Sequence, residues 1–185
     1  KKHGFEALMT DKNHTSGTDR VLDVANQKDW QIDEIIINVQ GDEPLIDPEL
    51  IRLLAIELQK KDIDYVTACS NFENFDDYVN PNNVKVIFNE KGTAIKFYRE
   101  ALISNKKYWN SQQYFYHIGL YGYKKKLLDD FCKLPNSTLE KKLKLEQLRA
   151  IENNLPIKVL KYDGKAHKGI DTPEDLVTIQ KYLNR

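Results

Sequence analysis

A chain of 185 residues in which 28 lysines and arginines are balanced by 28 aspartates and glutamates has no net charge, which excludes a broad basic footprint for nucleic acid or an anionic membrane. With 41% hydrophobic residues, including 10 Tyr and 7 Phe, the chain has enough apolar surface for one ordinary folded domain. No run approaches the roughly 18–20 apolar residues of a membrane span, and the opening KKHGFEALMT lacks a secretory leader's apolar core, so a cytoplasmic protein with Cys69 and Cys132 reduced is expected.

In chain order, HTSGTDR (14–20) is a polar loop of small residues. Its backbone amides and Ser16 suit a base edge or a phosphate, and equally it is a plain lead into a helix beginning near Asp19. IIINV (35–39) is a short continuous apolar run, expected to be a buried parallel strand that ends in the loop Gln40-Gly41-Asp42-Glu43-Pro44. Asp47-Pro48-Glu49 then reads as helix cap, first position and first-turn carboxylate, with Leu50, Ile51, Leu54 and Leu58 marking one face. A strand over Tyr65 to Cys69 follows. VKVIF (84–88) and TAIKFY (93–98), joined by NEKG, predict a β-hairpin, and HIGLYGY (117–123) a strand whose glycines admit close neighbours. Residues 124–131 and about 140–153 read as helices, IKVLKY (157–162) as a strand, and DTPED (171–175) as the start of a final helix with the stripe Leu176, Ile179 and Leu183. Strands alternating with helices indicate an α/β domain, with an antiparallel β insertion over about 80–123.

Open α/β sheets bind ligands where strands end, which makes Asp42 the first candidate: a carboxylate in a tight turn either holds Mg²⁺ or is simply solvated. Either Asp171 or Thr172 simply caps the last helix, or Asp171 joins Asp42 as a second metal ligand. His117 and Tyr121 share one face of their strand, as packed rings or as part of a site. Glu146 and Gln147 belong by periodicity to a solvated helix face. Arg99, at the end of the hairpin, suits a carboxylate clamp or an exposed strand end.

Taken together, HTSGTDR, VQGDEPLI, NPNNVKVIF, HIGLYGY, LEQLR and GIDTPEDL resemble, in this order and along nearly the whole chain, the 3-deoxy-manno-octulosonate (Kdo) cytidylyltransferase family. The resemblance implies a Rossmann-like nucleotidyltransferase fold with a mixed central sheet, CTP and Kdo as substrates, and transfer of CMP for lipopolysaccharide biosynthesis by a homodimer. It places Mg²⁺ on Asp42 and Asp171, and the nucleotide near Ser16, Gly17, Arg20 and Gln40. The sugar acid falls on Gln40, Arg99, His117, Tyr121, Glu146 and Gln147, with Asp42, Asp171 and Arg99 as the catalytic set. Acylneuraminate cytidylyltransferases are the nearest alternative. The family's first strand and its Arg- and Lys-bearing phosphate loop have no counterpart here, so a domain lacking that segment, or a catalytically silent fragment, is expected from Lys1 onward. Ser104 stands where the family usually has Pro.

Overall fold

A computed structural model describes residues 4–14, 16–164, 169–170 and 173–183. Helix α1 (Gly17–Gln27) starts earlier than expected because Ser16 caps it, its Oγ accepting from the Asp19 amide at 3.1 Å. Strand β1 (Ile35–Asn38) leads through the 40–43 turn to α2 (Pro48–Leu58), which is capped by Asp47 and begins with Pro48 as the sequence indicates. Strand β2 (Tyr65–Asn71) and the short α3 (Phe75–Val79) come next, followed by the hairpin of β3 (Lys85–Phe88) and β4 (Ala94–Tyr98). The long strand β5 (Phe115–Lys124) precedes α4 (Lys125–Phe131). The remaining elements are α5 (Thr138–Leu143), α6 (Gln147–Glu152), β6 (Lys158–Lys161) and α7 (Pro173–Leu183).

The strands form one mixed sheet in the order β4-β3-β5-β2-β6, with β1 also paired to β5. β2 and β6 run parallel, as expected for a crossover fold, whereas the pairing of β1 is antiparallel, Ile35 to Asn38 facing Lys124 to Tyr121. This corrects the parallel expectation. A continuous apolar run reports burial on both faces and says nothing about the direction of its partner.

Alternation along β2 sends Tyr65 and Cys69 into a core with α4 and α6, and Val66 and Ala68 into another beneath α2, where Leu50, Leu54 and Leu58 lie. Gly122 is needed at that second contact, since a Cβ there would stand 2.7 Å from Leu58 Cδ1 and 2.8 Å from Val66 Cγ1. The hairpin turn uses Gly92 at φ +74°, and its carbonyl accepts from the Val159 amide at 2.7 Å, tying the insertion to β6.

The single helix expected over about 140–153 is two. Lys144, at φ +53°, ends α5, and α6 restarts almost at once. In the final helix Ile179 is buried, but Leu176 is exposed, so the expected stripe is interrupted. Both cysteines are free, with burial pushing each thiol up to about 12. Among the described residues no helix is long and apolar enough to cross a membrane.

Candidate active site

β1 ends in a tight turn, the Glu43 amide donating to the Gln40 carbonyl at 3.1 Å. Gly41 makes this turn without a positive φ and with open space where a Cβ would stand, so the turn does not require glycine there. Asp42 is exposed, and its carbonyl accepts from the Ile170 amide at 2.8 Å. That bond joins the turn after β1 to residues 169–170, far apart in sequence. Asp171 itself lies outside the described residues.

Gln40 reaches across to the start of α1, its side-chain amide 3.6 Å from where a Cβ on Gly17 would be. Gly17, Arg20, Gln40 and Gly41 line a cleft of about 520 Å³ between α1 and β1, with Trp30 and Asn38 also on its wall. Arg20 donates to Thr10 Oγ1 at 2.8 Å and to the Asp11 carbonyl at 3.1 Å, which fixes its guanidinium beside the loop before α1.

Glu146 arrives from the other side. Burial pushes its carboxyl above the ordinary carboxylate range, against the opposing pull of Thr18 and Ser16 close by. Its Oε1 is buried and has no hydrogen-bond partner among the described residues. Thr18 continues the chain of polar groups to Tyr123, 3.3 Å away. The solvated face expected for Glu146 and Gln147 is therefore overturned: Gln147 is 3% exposed, because α6 packs against β4 with this side inward. The break at Lys144 shifts the helical phase, which the 3.6-residue pattern read as a single helix concealed.

His117 and Tyr121 stand together on β5 with ring centroids 5.4 Å apart, and Phe97 closes on the imidazole edge-on at 5.0 Å. Opposite them the pairing jumps from Thr67 with Tyr121 to Ala68 with Ile118, so Gly119 and Leu120 bulge out of the ladder. Thr67 Oγ1 caps the disturbed ladder, donating to the Leu120 carbonyl at 2.8 Å. The same hydroxyl oxygen lies 2.9 Å from His117 Nε2, which ties the imidazole to the bulge. Burial holds this imidazole down to about 3, and the ring is neutral at physiological pH.

One consequence is a pH dependence of stability. The folded ring's value lies below the 6.5 of an ordinary histidine, so between those values the unfolded chain binds a proton that the folded one refuses. Stability is present above pH 6.5 and declines as pH falls toward 3. Urea titrations are expected to show a slope contribution approaching about 1.4 kcal/mol per pH unit in that window, removed in His117→Gln. An unaltered slope in the variant would exclude His117 as its source.

Arg99 does not stand open. Its Nε donates to the Leu143 carbonyl at 2.9 Å, and its Nη1 to those of Pro81 and Asn82, both at 3.2 Å. A longer contact runs from Nη2 to Lys144 O at 3.4 Å. The fork thus staples the turn before β3 to the break between α5 and α6. Beside it the buried Lys85 donates to the carbonyls of Asn80 and Arg99 at 2.8 and 2.6 Å, and burial holds its ammonium down to about 8. Sequence reading missed Lys85, which sits in a strand pattern with no signal that a cation would be enclosed.

A mixed α/β sheet with polar groups converging where β1 ends is the arrangement of a nucleotidyltransferase, and the cytidylyltransferase family profile matches residues 1–161. Similar proteins include the 3-deoxy-manno-octulosonate cytidylyltransferases of Thermodesulfovibrio yellowstonii, 43% identical over 98% of this chain and 74% of that protein, and of Marinomonas sp., 37% identical over 98% and 73%. A solved structure of CMP:2-keto-3-deoxy-manno-octonic acid synthetase complexed with CTP superposes with a TM-score of 0.86 at 30% identity, covering 99% of this chain and 74% of that one. The chain belongs to the 3-deoxy-manno-octulosonate cytidylyltransferase family.

Proposed function

We propose that this protein transfers CMP from CTP to Kdo, releasing pyrophosphate, and so supplies an activated sugar acid for lipopolysaccharide synthesis in the cytoplasm, acting as a homodimer. The observation that carries the reading, beyond family membership, is the convergence of Gln40, Ser16, Gly17 and Glu146 from three separate segments at the end of β1. The adjoining cleft of about 520 Å³ is within the size range of small-molecule sites.

In the reaction the C2 hydroxyl oxygen of Kdo bonds to the α-phosphorus of CTP, the bond from that phosphorus to the bridging oxygen breaks, pyrophosphate leaves, and the hydroxyl proton is lost. Gly17 and Gln40 border the nucleotide, with Arg20 at its outer side. His117, Tyr121, Glu146 and Gln147 face the sugar acid, while Arg99 keeps α6 in register with the hairpin through its carbonyl contacts. The fit of a divalent cation rests on the 2.8 Å bond from Ile170 N to Asp42 O, which joins the Asp42 turn to the segment that runs directly into Asp171. These two carboxylates would hold Mg²⁺, which offsets charge on the phosphates and lowers the pKa of a bound hydroxyl.

The reading is tested by following pyrophosphate release with CTP and Kdo, with N-acetylneuraminate as the competing sugar acid. Release is expected with Kdo and divalent metal, and to cease in excess chelator. Release that persists in chelator, or that prefers N-acetylneuraminate, would overturn it.

A further inference from the structure

The mechanism gives Asp42 a role and its neighbour Glu43 none, yet the Glu43 side chain sits in a place made for it. Its Oε1 lies 3.5 Å from where a Cβ on Gly119 would stand and 3.1 Å from the equivalent position on Gly169. Any side chain at Gly169 would also come within 3.2 Å of the Asp42 carbonyl. Gly119 is part of the bulge in β5, where the ladder gives way beneath the 40–43 turn. Two backbone segments well separated in the sequence therefore both lack side chains where this carboxylate lies. Glu43 is half-buried while Asp42 is exposed, so consecutive carboxylates have separate surroundings, one against protein and one toward solvent.

We propose that Glu43 is a positioning residue: its carboxylate, seated in the slot left by Gly119 and Gly169, clasps the Asp42 turn between β5 and the 169–170 segment. The function of that clasp rests on the reading of Asp42 as part of the reaction centre. Asp42 is exposed at the main-chain bond from Ile170, and among the described residues a single hydrogen bond at a solvent-facing turn does little to hold two segments together. Packing the Glu43 side chain against both segments removes water from that bond and restricts the Asp42 turn. The geometry around Asp42 is then set before substrate arrives, and any ligand Asp42 holds is bound without first ordering the loop.

Hydrogen exchange of the Ile170 amide reads the clasp directly and needs no nucleotide. In Glu43→Ala this amide is expected to exchange about tenfold faster, with the amides of Val66 and Ala68 in β2 unchanged, the pattern of a local opening. Glu43→Gln, which fills the same slot, is expected to stay near the wild type. With substrates, Glu43→Ala is expected to raise the Mg²⁺ concentration giving half-maximal turnover several-fold more than it lowers kcat at saturating metal. If Glu43→Ala does not fold, Gly169→Ala, whose methyl would press on the carboxylate, is measured in the same way. An Ile170 amide that is unprotected in the wild type or unchanged in the variants, or a loss of protection shared equally by β2, would overturn the proposal. Failure of all forms to release pyrophosphate would count against the proposed reaction, and the exchange data would still decide the clasp.

Discussion

Replacing Asp42 by Asn is expected to lower turnover by about 10²–10³-fold, the usual cost of losing one group that stabilises charge at a reacting phosphate. The substitution keeps shape and removes charge. Asp42 holds its turn through its main-chain carbonyl, which Asn also has, so the bond from the Ile170 amide survives. The side chain is exposed and belongs to no core cluster, and stability is expected to change by less than about 0.5 kcal/mol. Steady-state pyrophosphate release at saturating CTP, Kdo and Mg²⁺, together with urea unfolding of the same preparation, separates the two effects. A variant with more than about a third of wild-type turnover would remove Asp42 from the proposed centre, since no transition-state contact costs so little.

Arg149→Met is expected to have the largest effect on stability, about 3–5 kcal/mol, because it leaves a buried carboxylate uncompensated. The Arg149 side chain is 1% exposed and that of its partner Glu140 is 8%. The guanidinium is bidentate, with Nε donating to Oε2 at 3.0 Å and Nη2 to Oε1, and it lies 4.7 Å above the Phe131 ring. Glu140 also completes a capping box, its Oε2 accepting from the Ser137 amide at 3.1 Å while Ser137 Oγ accepts from the Glu140 amide at 3.0 Å. One carboxylate thus joins the start of α5 to α6, the helix that directs Gln147 inward and follows Glu146. The double variant Glu140→Leu, Arg149→Met removes both charges and is expected to recover more than half of the loss, since an apolar pair needs no counter-charge. Urea midpoints of the four proteins in the cycle give the coupling directly. A single-variant cost under about 1 kcal/mol would mean that water reaches the pair and that it is not the fastening inferred from its burial.

The loss should also reach the site. Glu146 and Gln147 stand at the beginning of α6, and Arg99 holds the carbonyls of Leu143 and Lys144 just before it. Arg149 and Arg99 therefore fix the same short helix from within and from its leading turn. An arginine that looked like a carboxylate clamp in the sequence has a structural task of equal weight, satisfying the carbonyls that the break at Lys144 leaves outside any helix.

What was legible in the sequence is what neighbouring residues settle among themselves. Asp47-Pro48 starts α2 because a cap and a proline satisfy and pre-form a first turn locally. NEKG makes the hairpin turn because Gly92 takes a positive φ at little cost. Asp42 falls at a strand end because an apolar run stops at Gln40, and the ordered motifs carried the family. Tertiary structure alone decided the antiparallel partner of β1, the burial of Gln147, the four carbonyls around Arg99 and the neutral, ring-enclosed state of His117. Each of these depends on a partner distant in the chain, as Arg99 does on Leu143 and His117 on Thr67. Periodicity tells which side of an element is apolar. Which element covers that side, and what dielectric a polar group then meets, follows only once segments far apart in sequence have packed together.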